Sequence, residues 1–137
     1  MLEQQLLDIF DVQIENPEHG KQIAVALRSI ASRTDIALAY DWSLIYGGAD
    51  MTDPYRIALR VGIDPWHQIG AMQFGAADYL SIPATGGGDG TKIYKMAGKR
   101  DAFFQPGCQV SLGTVLDAVD QFVLTRTRPT LVNWRAV

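Results

Sequence analysis

Between Tyr55 and Ile63 the chain reads Tyr-Arg-Ile-Ala-Leu-Arg-Val-Gly-Ile. Ile57, Leu59, Val61 and Ile63 fall on one side, and Arg56 and Arg60 on the other. That is the period of a strand with one face on a core. Asp64-Pro65 closes the segment, and further breaks follow closely. Ala71 to Phe74, Tyr79 to Ile82 and Thr91 to Met96 read as three more short strands, the last two joined by the loop Gly86-Gly87-Gly88-Asp89-Gly90. Such short links suit antiparallel neighbours, because a parallel crossover takes about a dozen residues or more.

Two helices flank this group. Asn16-Pro17-Glu18 is a helix start: a cap, a proline suited to the first turn, and an acid favoured by the dipole. The helix is expected to run to about Ser32, with Ile23, Leu27, Ile30 and Ala31 on one stripe. Ser111 is a good cap for a second helix, whose stripe is Leu112, Val115, Leu116, Val119, Phe122 and Val123, and which stops before Pro129. Leu6 to Ile14, Ile36 to Tyr40 and Thr130 to Trp134 complete the expected strands, with turn-rich chain around Gly47-Gly48 and Asp53-Pro54. The fold class is α+β: one domain over residues 1–137, a mostly antiparallel sheet with two helices packed on one face.

Composition excludes several function classes. Twelve basic against fifteen acidic residues give a net charge of −3. A general nucleic-acid coat, which wants a basic face, does not fit that balance. Cys108 is the one cysteine, so neither an intrachain disulfide nor a multi-cysteine zinc site is expected, and a reducing compartment suits the chain. Met1-Leu2-Glu3-Gln4-Gln5 lacks the positive region of a signal peptide, and no apolar run is long enough to span a membrane. A cytoplasmic location, no membrane contact and no cofactor are the expectations.

Catalytic constellations are sparse. Glycines 86–90 lack the Gly-Lys-Ser/Thr ending and the following helix of a phosphate loop, and read as a hairpin loop. His19 belongs to the first helical turn and is expected to face solvent; His67 follows Pro65-Trp66. Cys108 enters a helix start, where a thiolate is favoured, but no base is near in sequence, and a small buried cysteine is the commoner role. Asp50 and Asp53 suit a turn better than a carboxylate pair. A small hydrolase-like enzyme using His67 with Asp64 or Cys108 is the alternative these residues leave open; it requires those groups within about 3–4 Å in a cleft. A non-catalytic ligand-binding domain is the other, and would show a deep apolar pocket. Trp42 and Trp134 are expected to pack partly into the core. Trp66, in a loop, is the best candidate for an exposed contact, although burial is the commoner fate of such a ring.

Charge placement is more informative than charge total. Residues 61–91 hold Asp64, Asp78 and Asp89 with no lysine or arginine, after which Lys92, Lys95, Lys99 and Arg100 cluster. An acidic, aromatic-bearing stretch of this kind suits a basic partner surface.

The C-terminal third carries a resemblance. Val110-Ser111-Leu112, Val115, Ala118-Val119, Phe122, Thr125, Arg128-Pro129, Val132 and Trp134 resemble the end of the first-numbered Imm family, the immunity proteins of bacterial polymorphic toxin systems. There an apolar-striped helix runs into a Thr-Gly-x-Arg-Pro turn and a strand ending Val-x-Trp. Gly70-Ala71 to Tyr79-Leu80-Ser81 resembles the family's paired middle strands. One position departs: Arg126 stands where the family has glycine, which implies a different helix ending. The resemblance implies inhibition by binding, without catalysis. The partner would be the C-terminal domain of a cognate toxin, a nucleic-acid deaminase or nuclease, held by this monomer in a 1:1 heterodimer with no direct nucleic-acid contact. Asp64, Trp66, Asp78, Tyr79 and Asp89 are the expected toxin-facing residues, with the neighbouring chain at 41–53 available to join them.

Overall fold

The computed structural model describes residues 2–48, 52–76 and 79–137. Its elements in chain order are α1 (Leu2–Leu7), β1 (Asp11–Gln13), α2 (Pro17–Ala31), β2 (Tyr40–Tyr46), β3 (Ile57–Asp64), β4 (Ile69–Ala76), β5 (Tyr79–Pro83), β6 (Tyr94–Met96), β7 (Arg100–Ala102), β8 (Gln109–Ser111), α3 (Leu112–Thr125) and β9 (Trp134–Ala136). The strands form one sheet in the order β7-β6-β2-β3-β4-β5-β9, with β1 added parallel to β2 and β8 antiparallel to β4. Apart from β1 and the single β6 bridge to β2, the pairings are antiparallel, so the α+β class stands.

The alternation in β3 sets the layers. Leu59, Val61 and Ile63 join Trp42, Leu44, Met72 and Phe74 under α2 and α3, where all seven are buried. Each such side chain contributes about 1.5–3 kcal/mol by leaving water. Both helices start as the sequence requires: Asn16 Oδ1 accepts from the His19 amide at 2.8 Å, and Ser111 Oγ from the Thr114 amide at 3.2 Å. They pack closely where α2 has no side chain. A β-carbon at Gly20 would lie 3.0 Å from Val123 Cβ and 3.2 Å from the Tyr46 hydroxyl.

Among the described residues, the second face of the sheet is covered only in part. Residues 84–109 fold back over it, and Ala39, Ala71, Ile82, Tyr94, Phe104 and Cys108 make a small second core. Its closeness depends on Gly62, where a β-carbon would lie 2.5 Å from Tyr94 Cε1. The chain bridges this face to the sheet through Gly87 and Gln109.

Several element readings change. The loop at Gly86 to Gly90 is no hairpin loop, since β5 pairs with β4 and β9 and β6 with β2 and β7. Leu2 to Leu7 is helix, because Leu2 and Leu6 are a helical turn apart and both pack on the core; only Val12 in β1 and the adjacent Ile14 keep the alternation. The strand expected at 36–40 starts at Tyr40 and runs to Tyr46, so most of the chain from 41 is buried sheet with little surface to offer a partner. The last strand starts at Trp134, after a connection tied back by Gln121, whose Oε1 accepts from the Thr130 amide at 3.0 Å.

The helix ending at Arg126 is also corrected. Arg126 adopts the left-handed conformation itself (φ 56°), and its amide donates to Phe122 O at 2.9 Å. The guanidinium lies over the Tyr46 ring, 4.5 Å from its centroid. Stacking therefore offsets strain that glycine would avoid. Arg126→Ala keeps the strain and loses the stack, while Arg126→Gly loses both. The glycine variant is expected to be about 1 kcal/mol more stable than the alanine variant in urea unfolding. Equal stability of the two would show that the cap geometry contributes nothing.

Candidate partner-binding surface

The turn between β3 and β4 is built around Asp64. The strand pairing puts Asp64 opposite Ile69 and leaves residues 65–68 to reverse the chain. Asp64 Oδ1 accepts from the His67 amide at 3.1 Å, closing the turn in the manner typical of aspartate. Oδ2 meets His67 Nδ1 at 2.7 Å and Lys92 Nζ at 2.7 Å. Gln68, at φ 55°, completes the reversal, and its Nε2 donates to Pro65 O at 2.8 Å. With side chain and backbone tied at both ends, the turn is rigid.

Trp66 sits on this rigid turn and is 65% exposed. Register puts two more exposed apolar residues at the same end of the sheet. Tyr40 pairs with Ile63 and Lys95, so Leu38 and Ile93, two residues before Tyr40 and Lys95, lie toward the same end of the sheet as the turn. A shallow depression of about 250 Å³ adjoins Trp66, between Pro65, Gln68 and the end of α2 at Ser32, Arg33 and Thr34. Arg33 there is paired with Asp35 at 2.7 Å.

Of the five residues expected on one contact surface, the four that are described are placed apart. Asp64 is 2% exposed and its oxygens are engaged by His67 and Lys92, so it shapes the turn and presents no open carboxylate. Asp78 lies outside the described residues. Tyr79 is half-exposed, but it pairs with Ala76 at the other end of β4, about 23 Å from the Trp66 turn at a strand's rise per residue. Asp89 is exposed and sits three residues from Lys92. Its Oδ1 takes the Thr91 hydroxyl at 2.6 Å and amide at 3.0 Å, which hold the carboxyl below its usual range. Only Trp66 and Asp89 remain as exposed groups toward the same end of the sheet.

Sequence reasoning missed Leu38 and Ile93, whose place at the Trp66 end of the sheet depends on strand pairing. It also missed the orientation of His67, whose one side-chain partner among the described residues is Asp64. Asp64 and His67 thus meet the distance that the enzyme alternative demands. Cys108 is elsewhere: it lies in the second core, its Sγ 3.9 Å from Gln73 Oε1, and burial pushes the thiol up to about 11. A thiol in that state is a poor nucleophile near neutral pH. Among the described residues no three His, Cys, Asp or Glu side chains are grouped to hold a metal ion, and no helix is long and apolar enough to cross a membrane.

The turn carries a pH dependence. Burial alone would push the Asp64 carboxyl up; hydrogen bonds from Lys92 and from the His67 amide and ring outweigh it and hold the carboxyl below the usual value. A carboxyl lowered in the folded state stabilises the fold above the unfolded-chain value, about 3.9, and loses that contribution as pH falls through the lower folded value. Asp64→Asn is therefore expected to cost about 1–2 kcal/mol at pH 7, with the gap to wild type closing below about pH 4. A gap independent of pH in thermal unfolding would show that the charge is not what matters.

A family model described as immunity protein Imm1 matches residues 21–136 of the chain. No curated protein matches it.

Proposed function

Since the chain belongs to the Imm1 family of immunity proteins, we propose that it binds one cognate toxin domain and neutralises it by occlusion, without catalysis of its own. The observation that carries this reading is Trp66, a large ring 65% exposed on a turn held by Asp64, with the exposed Leu38 and Ile93 toward the same end of the sheet. An exposed indole on a fixed backbone is the kind of anchor that dominates protein interfaces, because little is lost in ordering it. Asp89 supplies a carboxylate at the rim, where complementary charge raises the encounter rate with a basic toxin. Such a toxin would act on nucleic acid, as a deaminase or nuclease, and the complex would be a 1:1 heterodimer in the cytoplasm of the producing cell.

The enzyme alternative has one observation in its favour, the Asp64–His67 contact at 2.7 Å. Against it, Asp64 also closes its own turn and pairs with Lys92, and Cys108 is held in the second core with Gln73.

The test is to sequence the reading frame beside this one for a toxin and to co-express that toxin's C-terminal domain with this chain. Cells carrying both are expected to grow, and the two domains to co-purify at equal stoichiometry. Growth arrest despite soluble expression of both overturns the proposal. Turnover by the purified chain of a substrate that His67→Ala abolishes would favour the enzyme.

A further inference from the structure

The part of the second sheet face that the described residues leave open holds a depression of about 220 Å³, whose lining includes Ser43, Arg56, Ala58, Arg60, Gln73, Gly75 and Leu80. It lies toward the Tyr79 end of the sheet, because Ala58 pairs with Gly75 and Gly75 with Leu80. Ala58 and Gly75 leave the floor low. What surrounds that floor is chemically one-sided.

Arg60 is fixed from behind. Its Nε lies 3.1 and 3.0 Å from the two oxygens of buried Asp41, and its Nη2 bonds Asp41 and, at 3.0 Å, Phe103 O. The guanidinium also stacks on Phe104, 4.1 Å from the ring centroid. These contacts use Nε and Nη2 and leave the two N–H groups of Nη1 for a ligand. Ser43, only 8% exposed, has a hydroxyl with no partner among the described residues. Gln73 has its oxygen turned to Cys108 and so has its amide N–H groups to donate. The backbone of β2, β3 and β4 is used in the ladder. The side-chain groups left to bind can therefore all donate, and the guanidinium among them, already paired with Asp41, cannot move away.

We propose that this depression receives an acidic side chain of the toxin, with its carboxylate on Arg60 Nη1, the Ser43 hydroxyl and the Gln73 amide. The proposal rests on the toxin-binding reading and adds a second point of contact on a different part of the sheet. A carboxylate suits the site because it accepts from several donors at once, the free Nη1 of a guanidinium among them. A guanidinium held in place by Asp41 and Phe104 loses little freedom on binding.

The site is tested first without the toxin. Propionate titrated into the isolated 15N-labelled chain should shift the amides of Ala58 and Gly75 and the Arg60 Nε–H signal. No response, or one that chloride reproduces at equal ionic strength, overturns the site. The occupant is tested in the complex. Ala58→Glu puts a carboxylate of the chain's own into the depression and should weaken toxin binding at least about thirty-fold, while the neutral Ala58→Gln should change it less than about three-fold. Equal losses from the two overturn the carboxylate assignment, and no loss overturns the contact. Should Ala58→Glu fail to fold, Leu80→Glu at the rim serves with Leu80→Gln as its control. Propionate binding with no toxin complex in any variant rejects the toxin as occupant and the proposed function together, while an unchanged complex in the Ala58 pair with loss in Trp66→Ala rejects this contact alone.

Discussion

Trp66→Ala is expected to weaken the toxin complex by about 2–4 kcal/mol, the range of a central interface anchor, while leaving the chain's own stability unchanged within about 0.5 kcal/mol. The two halves of that expectation have one origin. The indole is mostly in water in the free chain, so removing it creates no cavity in the fold. In a complex the same ring would be covered, and the turn that carries it is already ordered by Asp64, His67 and Gln68. Ordering costs that usually reduce a side chain's contribution are small for a two-torsion ring on a fixed backbone. Calorimetric titration against a catalytically disabled toxin domain, with urea unfolding of the free variant in parallel, measures both. A change in affinity below about three-fold moves the interface away from this end of the sheet. Leu38→Ala and Ile93→Ala should follow in the same direction with smaller effects, since each exposes less apolar area than the indole.

How much of this arrangement could be read from residue order depends on the range of the interaction that fixes each part. Helix starts at Asn16 and Ser111 are set within three residues, and both were legible for that reason. The β3 alternation was legible because its two faces really do differ: helices cover one, and arginines mark the other. The strand expected over Leu6 to Ile14 is confined to Asp11–Gln13, because the six-residue helix before it has no long periodicity to show, and Leu6 is fixed by a distant group, its carbonyl accepting from the Trp42 indole at 2.8 Å. In β2 a usable signal was present. Asp41 and Ser43 alternate with Trp42 and Leu44, but the apolar run from Ile36 to Tyr40 competes with it, and a buried aspartate is unexpected until its partner is known.

The candidate surface was legible only as residue types. Trp66 stood out as an aromatic in a loop, and its exposure is set by the turn beneath it. Asp64 stood out as an acid in an acid-only stretch, but charge counted along the chain ignores Lys92, which comes across from a loop 28 positions away by sequence number to pair with it. Tyr79 and Trp66 were grouped by closeness in sequence, whereas the strand between them holds them at opposite ends of the sheet. The donors of the second-face depression come from β2, β3 and β4, and pairing alone brings them together.

Arg60 and Asp41 give the other large effect. Asp41 is fully buried, and burial pushes its carboxyl up against the pull of the Arg60 guanidinium. Register puts the two on one face, one strand apart and two residues along: Asp41 pairs with Gly62, and Ser43 with Arg60. Arg60→Ala would leave that carboxylate without its partner, and a broken buried pair costs about 3–5 kcal/mol. Asp41→Ala leaves the arginine, which is partly exposed and still bonded to Phe103 O, so a smaller loss of about 2 kcal/mol is expected. The asymmetry is the test of the argument. If the pair itself supplied the stability, the two single variants would cost the same and the double replacement Asp41→Leu with Arg60→Met would cost at least as much as either. If the cost is that of an orphaned buried charge, the double variant recovers most of the loss and ends within about 1 kcal/mol of wild type. Urea unfolding of the four proteins separates these outcomes. The double variant should also fail to bind propionate, because a well-folded sheet would remain while the fixed guanidinium that makes the depression a carboxylate site is gone.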